Sequence, residues 1–141
     1  MNARFVLALL LALAPLASKA DDKKDNPIGK EMKGMNADFK QLKKQIGDPA
    51  QKDSSLKLIA DMKKHAKTAR GLTPDNAAKI PEADRTKWMD AYKKKMDDLL
   101  GEYDKLESAV SDGKTDEAKT LLGDVLNVKR QGHEEFNKEE K

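Results

Sequence analysis

Along most of the chain apolar residues recur at steps of 3 and 4, the spacing that returns a side chain to one face of an α-helix. After Pro27, the residues Ile28, Met32, Met35, Phe39, Leu42 and Ile46 follow at steps of 4, 3, 4, 3 and 4. This predicts an amphipathic helix, with Asn26 as its N-cap and Pro27 at the first helical position, where a missing N–H costs nothing. Gly47-Asp48-Pro49 ends it. Leu56, Ile59, Met62, Ala66 and Ala69 mark a second, weaker stripe from Asp53 to Arg70, stopped at Gly71. The connector LTPDNAAKIPEAD follows, broken by Pro74 and Pro81.

The third stripe is the longest: Met89, Tyr92, Met96, Leu99, Tyr103, Leu106 and Val110, ending at Ser111-Asp112-Gly113. Thr115 is then expected to cap a fourth helix, with Asp116 and Glu117 at the positive end of its dipole and Ala118, Leu122, Val125 and Leu126 facing inward. No period-two pattern competes. Four stripes with mostly short connections, none able to bury itself alone, predict an all-α, antiparallel up-down-up-down four-helix bundle over residues 27–136.

The ends read differently. Residues 1–20 carry Arg4, an apolar run from Phe5 to Ala14, and small residues at Ser18 and Ala20, as a cleaved secretory signal peptide does. The run is too short to span a bilayer, so no membrane span is expected in the mature chain. Residues 21–26 read as a linker and residues 137–141 as a charged tail that frays. The expected location is the periplasm.

Removing residues 1–20 takes away two basic side chains and leaves 26 basic against 25 acidic. These charges alternate in sign along the chain, which suits solvated helical faces and not a nucleic-acid surface. The chain has no cysteine, so it has no disulfide, no thiolate metal site and no CxxCH haem attachment. A cofactor would be held non-covalently.

His133 is the residue that this pattern leaves unexplained. At about 100° per residue, Leu126 and Leu122 project about 20° to either side of it, placing it on the inner stripe, towards the edge. In an up-down-up-down bundle the start of helix one and the end of helix four share one end of the molecule. Met32 lies about 7–8 Å from that end and His133 about 6 Å, so the two face the interior at nearly one level. An imidazole and a thioether aimed at each other are the axial ligand set of a low-spin haem iron. Di-iron bundles instead need inward carboxylates and Glu-x-x-His pairs, whereas Arg130 and Met62 stand three residues before His133 and His65. The residues alone fit two readings: a haem ligand pair, or a boundary histidine with one of six methionines serving as core filler.

From Pro27 to Phe136 the chain resembles the cytochrome b562 family of small exported b-type cytochromes. The likeness is carried by the stripe from Ile28 through Met32, Met35 and Phe39 to Leu42, by Thr73-Pro74, and by Asp112-Gly113-Lys114 with Glu117-Ala118, followed at the family's spacing by His133. The resemblance implies one non-covalent haem b with Met32 and His133 as axial ligands. Met35 as ligand would put Asp38 on the next inner position, which Met32 avoids. Tyr92 and Met96 stand where the family has two phenylalanines at the haem edge, with Trp88 an extra aromatic nearby. Lys129 and Arg130 flank the site, placed either to pair with haem propionates or to form a solvated basic pair. His65 is a minor rival ligand and reads better as a boundary histidine.

The function implied is single-electron transfer between redox partner proteins by a carrier that is not an enzyme, expected to be a monomer. A different class, a haem-free envelope adaptor or chaperone, would use Trp88, the tyrosines and the methionines as a binding surface. Its LTPDN segment is similar to an LTxxQ pattern but lacks the glutamine.

Overall fold

A computed structural model describes residues 26–137, and these form four helices: α1 (Pro27–Gln45), α2 (Lys52–Arg70), α3 (Glu82–Ser111) and α4 (Thr115–Phe136). Short 3₁₀ turns lie at Pro49–Gln51 and Asp75–Lys79, and there is no strand among the described residues. The architecture is the expected all-α bundle. The signal peptide assigned to residues 1–20, the linker up to residue 25 and the tail from residue 138 lie outside the described residues.

Local chemistry sets the helix ends. Asn26 Oδ1 accepts from the Ile28 N–H at 3.0 Å, capping α1, and Asp48 Oδ1 accepts from the Ala50 N–H at 2.9 Å to open the turn before α2. Gly113 takes φ +71°, a left-handed conformation that suits glycine. Around it the Gly113 N–H donates to the Val110 carbonyl at 3.1 Å and the Lys114 N–H to the Ala109 carbonyl at 2.8 Å. That pair of bonds is a Schellman motif, which closes α3 and lets α4 begin at once. Thr115 is therefore the first residue inside α4 and not its cap; Lys114 holds the cap position, and no side chain caps it.

Consecutive helices approach closely, α1 with α2, α2 with α3 and α3 with α4, whereas the backbones of α1 and α4 scarcely do. Tyr103, Met35, Leu42, Ile59, Met62, Leu106 and Val125 are fully buried between them. On α4 the buried residues are Ala118, Leu121, Leu122, Val125 and Phe136, while Leu126 is 43 % exposed. The expected inner position of Leu126 is thus corrected. The buried face of α4 turns towards α3, its close neighbour, and at 100° per residue Leu126 lies about 80° from the line through Ala118 and Phe136.

Ile59→Ala is expected to cost about 2–5 kcal/mol, as a cavity opens in a close-packed core. Leu126→Ala is expected to change stability by no more than about 0.5 kcal/mol. Urea unfolding of the two variants measures the contrast.

Candidate functional site

Where α1 and α4 fail to close, a cavity of about 350 Å³ opens at one end of the bundle. That end is tied together by polar bonds. Asn26 Nδ2 donates to Asp75 Oδ2 at 2.5 Å, joining the start of α1 to the α2–α3 connector, and Asn76 Nδ2 donates to the Phe136 carbonyl at 2.9 Å, joining the connector to the end of α4. The start of α1 and the end of α4 therefore meet as the topology requires.

The cavity wall is largely apolar. Ile28, Met32 and Met35 line it from α1, Tyr92, Met96 and Leu99 from α3, and Val128, Gly132, His133 and Phe136 from α4. Met32 and His133 thus face the same space from the two helices that leave it open. His133 is exposed, not buried as its projected position implied. It sits about 60° from the centre of the buried face of α4, and α1 lies too far away to cover it.

The His133 ring is nonetheless oriented. Its Nδ1 lies 3.0 Å from the Lys129 carbonyl oxygen one turn earlier. A carbonyl only accepts, so Nδ1 carries a proton, and in the neutral ring the lone pair is then on Nε2, the arrangement that presents imidazole to a metal. The two methionines differ as well. Met35 is 2 % exposed and its Sδ accepts from the Tyr103 hydroxyl at 3.8 Å, whereas Met32 is only partly buried.

Tyr92 and Met96 both line the cavity. The Tyr92 hydroxyl donates to the Ala69 carbonyl at 2.8 Å, and burial pushes its pKa up to about 12, so it stays a neutral donor. Trp88 stacks on Tyr92 with ring centroids 6.3 Å apart, and Phe136 meets Trp88 and Tyr92 edge-on at 5.2 and 5.6 Å. These rings form a packed wall. Tyr103 is fully buried as well, whereas Trp88, Met32 and Met89 are partly buried.

The two basic residues separate. Lys129 lines the cavity, its Nζ donating to Asn36 Oδ1 at 2.5 Å and standing 4.9 Å from the centre of the Phe39 ring. Arg130, one position on, is exposed outside the wall and bonds Asn127 Oδ1 at 3.3 Å. His65 does not reach the cavity either. Its Nδ1 is 2.6 Å from Glu31 Oε2 and its Nε2 3.7 Å from Asp38 Oδ2, on the α1–α2 face. Burial raises the Asp38 pKa, with Asp61 adding to the rise and His65 and Lys57 opposing it.

The sequence reading did not single out Phe136, Asn36 or Lys95 as site residues, although all three line the cavity. A signal for Phe136 was present, because Val125, Val128, Gly132 and Phe136 continue the α4 stripe at steps of 3, 4 and 4. Among the described residues no group of three or more His, Cys, Asp or Glu side chains is placed to hold a metal ion. The cavity carries three thioethers, Met32, Met35 and Met96, and one imidazole, His133, inside a largely apolar wall, a donor set that fits haem.

The profile of the cytochrome b562 family matches residues 27–137. The chain belongs to the cytochrome b562 family. No curated protein and no solved structure matches it significantly. Membership in the cytochrome b562 family makes the protein a small haem-binding electron carrier, and none of its described helices is long and apolar enough to cross a membrane.

Burial pushes the Lys129 pKa down, and the charge of Lys40 adds to the shift. The ammonium is therefore costlier in the folded chain than in the unfolded one. That cost is fully present at neutral pH and fades as pH rises through the lowered folded-state pKa towards the ordinary lysine value of about 10.4. For the haem-free protein, the stability difference between Lys129→Met and wild type should be more favourable to the variant at about pH 7 than at about pH 10. Urea midpoints at the two pH values check the sign.

Proposed function

We propose that the protein is a periplasmic b-type cytochrome, carrying single electrons between redox partner proteins as a monomer. It binds one non-covalent haem b between Met32 and His133, with Tyr92, Met96 and Lys129 in the pocket. The observation that carries this reading is the pairing of the two donors. Met32 from α1 and His133 from α4 line one apolar cavity, and the Lys129 carbonyl leaves the Nε2 lone pair of His133 free.

When bound, haem supplies a single iron that cycles between ferrous and ferric states. Met32 and His133 would hold the iron, and with both ligands supplied by the protein the group would suit outer-sphere electron transfer and not oxygen or peroxide chemistry. The Met32 thioether would favour ferrous iron more than a second imidazole, which would raise the reduction potential. Ile28, Met96, Leu99 and Val128 would give the haem faces an apolar lining. The Lys129 carbonyl holds the Nδ1 proton and keeps His133 in the binding tautomer. Protons compete with iron for Nε2, so acid weakens binding.

Hemin added to the purified protein is expected to give a sharp low-spin spectrum on reduction. Met32→Ala and His133→Ala should each abolish that spectrum and weaken hemin binding by more than the roughly 10–100-fold typical of losing an outer-shell partner. Wild-type spectra in both variants would refute the ligand assignment.

A further inference from the structure

His65 occupies a prepared position that haem ligation does not use. Its imidazole lies against Gly34 of α1, where an added Cβ would come within 2.6 Å of both Cε1 and Nε2. Any side chain at position 34 would therefore displace the ring. Its Nδ1 is bonded to Glu31 at 2.6 Å and its Nε2 approaches Asp38 at 3.7 Å, so the ring spans two turns of α1. The contact is not a loose surface pair: the side chains of Glu31, Asp38 and His65 are 18, 22 and 32 % exposed.

The place of this contact matters because of what else holds α1. The backbones of α1 and α4 scarcely approach each other, and near the cavity Lys129 crosses that seam to Asn36 and over the Phe39 ring. The bonds from Gln45 to Ser54 and Ser55 tie α1 to α2 at the far end, about 20 Å along the axis from Met32. Glu31 is the immediate neighbour of Met32, and the strip Glu31, Gly34, Asp38 lies about 125° around the helix from it. A roll of about 20° in a helix of 5–6 Å outer radius moves a side-chain tip by about 2 Å. Metal–ligand distances tolerate only about 0.2 Å.

We propose that His65 is a positioning residue: seated on Gly34 and bonded to Glu31, it sets the roll of α1 and so aims the Met32 thioether into the cavity. The proposal rests on Met32 being a haem ligand. It gives His65 a role in ligation without contact to the haem pocket, and it assigns Gly34 a purpose, since glycine otherwise weakens a helix interior.

The test compares His65→Leu, Gly34→Ala, their double variant and Met32→Ala in hemin-loaded protein. Three quantities are read: the ferric thioether–iron charge-transfer band, the reduction potential and the hemin dissociation constant. His65→Leu and Gly34→Ala should each remove more than half of the band, lower the potential and weaken hemin binding about tenfold. The double variant should lose little more than either single one, because both act through one contact. Alanine at position 34 raises helix propensity and leaves the imidazole chemically intact, so it carries the test alone where His65→Leu does not fold. If the band and affinity in His65→Leu and Gly34→Ala stay within twofold of wild type while Met32→Ala loses the band, the positioning role is overturned and the ligand assignment stands. A band unchanged in Met32→Ala overturns both.

Discussion

The α1–α4 seam sets the terms for the rest of this molecule. Close packing joins each helix to the next in sequence, but the first and last helices do not close on one another. Their separation leaves apolar side chains of α1, α3 and α4 facing open space at one end of the bundle. Apolar surface left in contact with water forgoes about 25 cal/mol per Å² of stabilisation. A flat, apolar group inserted there would restore that term, and if it bound only the folded bundle it would also stabilise the fold.

The polar groups of the cavity fit the same constraint. Tyr92 satisfies its hydroxyl on the Ala69 carbonyl, away from the cavity, and so presents its ring. Lys129 reaches across the open seam to Asn36 and the Phe39 ring, and its backbone carbonyl receives the Nδ1 proton of His133. One residue thus bridges the two helices with its side chain and orients a proposed ligand with its main chain. The cost is a cation held partly out of water, which is why its pKa falls.

Turn chemistry brings the site residues to one end. Gly113 in the left-handed region closes α3 with a Schellman motif and starts α4 without a loop. His133 follows 20 residues later, about 30 Å back along the bundle, and so returns to the end from which Met32 departs. The Asp112-Gly113-Lys114 segment therefore has a mechanical reason to stand at a fixed distance before the histidine. The cytochrome b562 profile, which spans residues 27–137, covers this whole arrangement.

Helix number, helix type and the end shared by Met32 and His133 were determined by local information: apolar spacing, caps, prolines and glycine turns, all of which act within a few residues. The sequence alone also excluded a thiolate site and covalent haem attachment, because it has no cysteine. Which flank of α4 is buried was decided only in the tertiary structure. Leu126 and His133 share a projected stripe with Leu122, yet α4 packs towards α3 and leaves both exposed. Phe136 entering the aromatic wall, Lys129 and Arg130 parting, and His65 settling on Gly34 also depend on interhelical distance and roll. Periodicity gives the angle of a side chain about its own axis; the distance and roll of the neighbouring helix come from how all the stripes pack together.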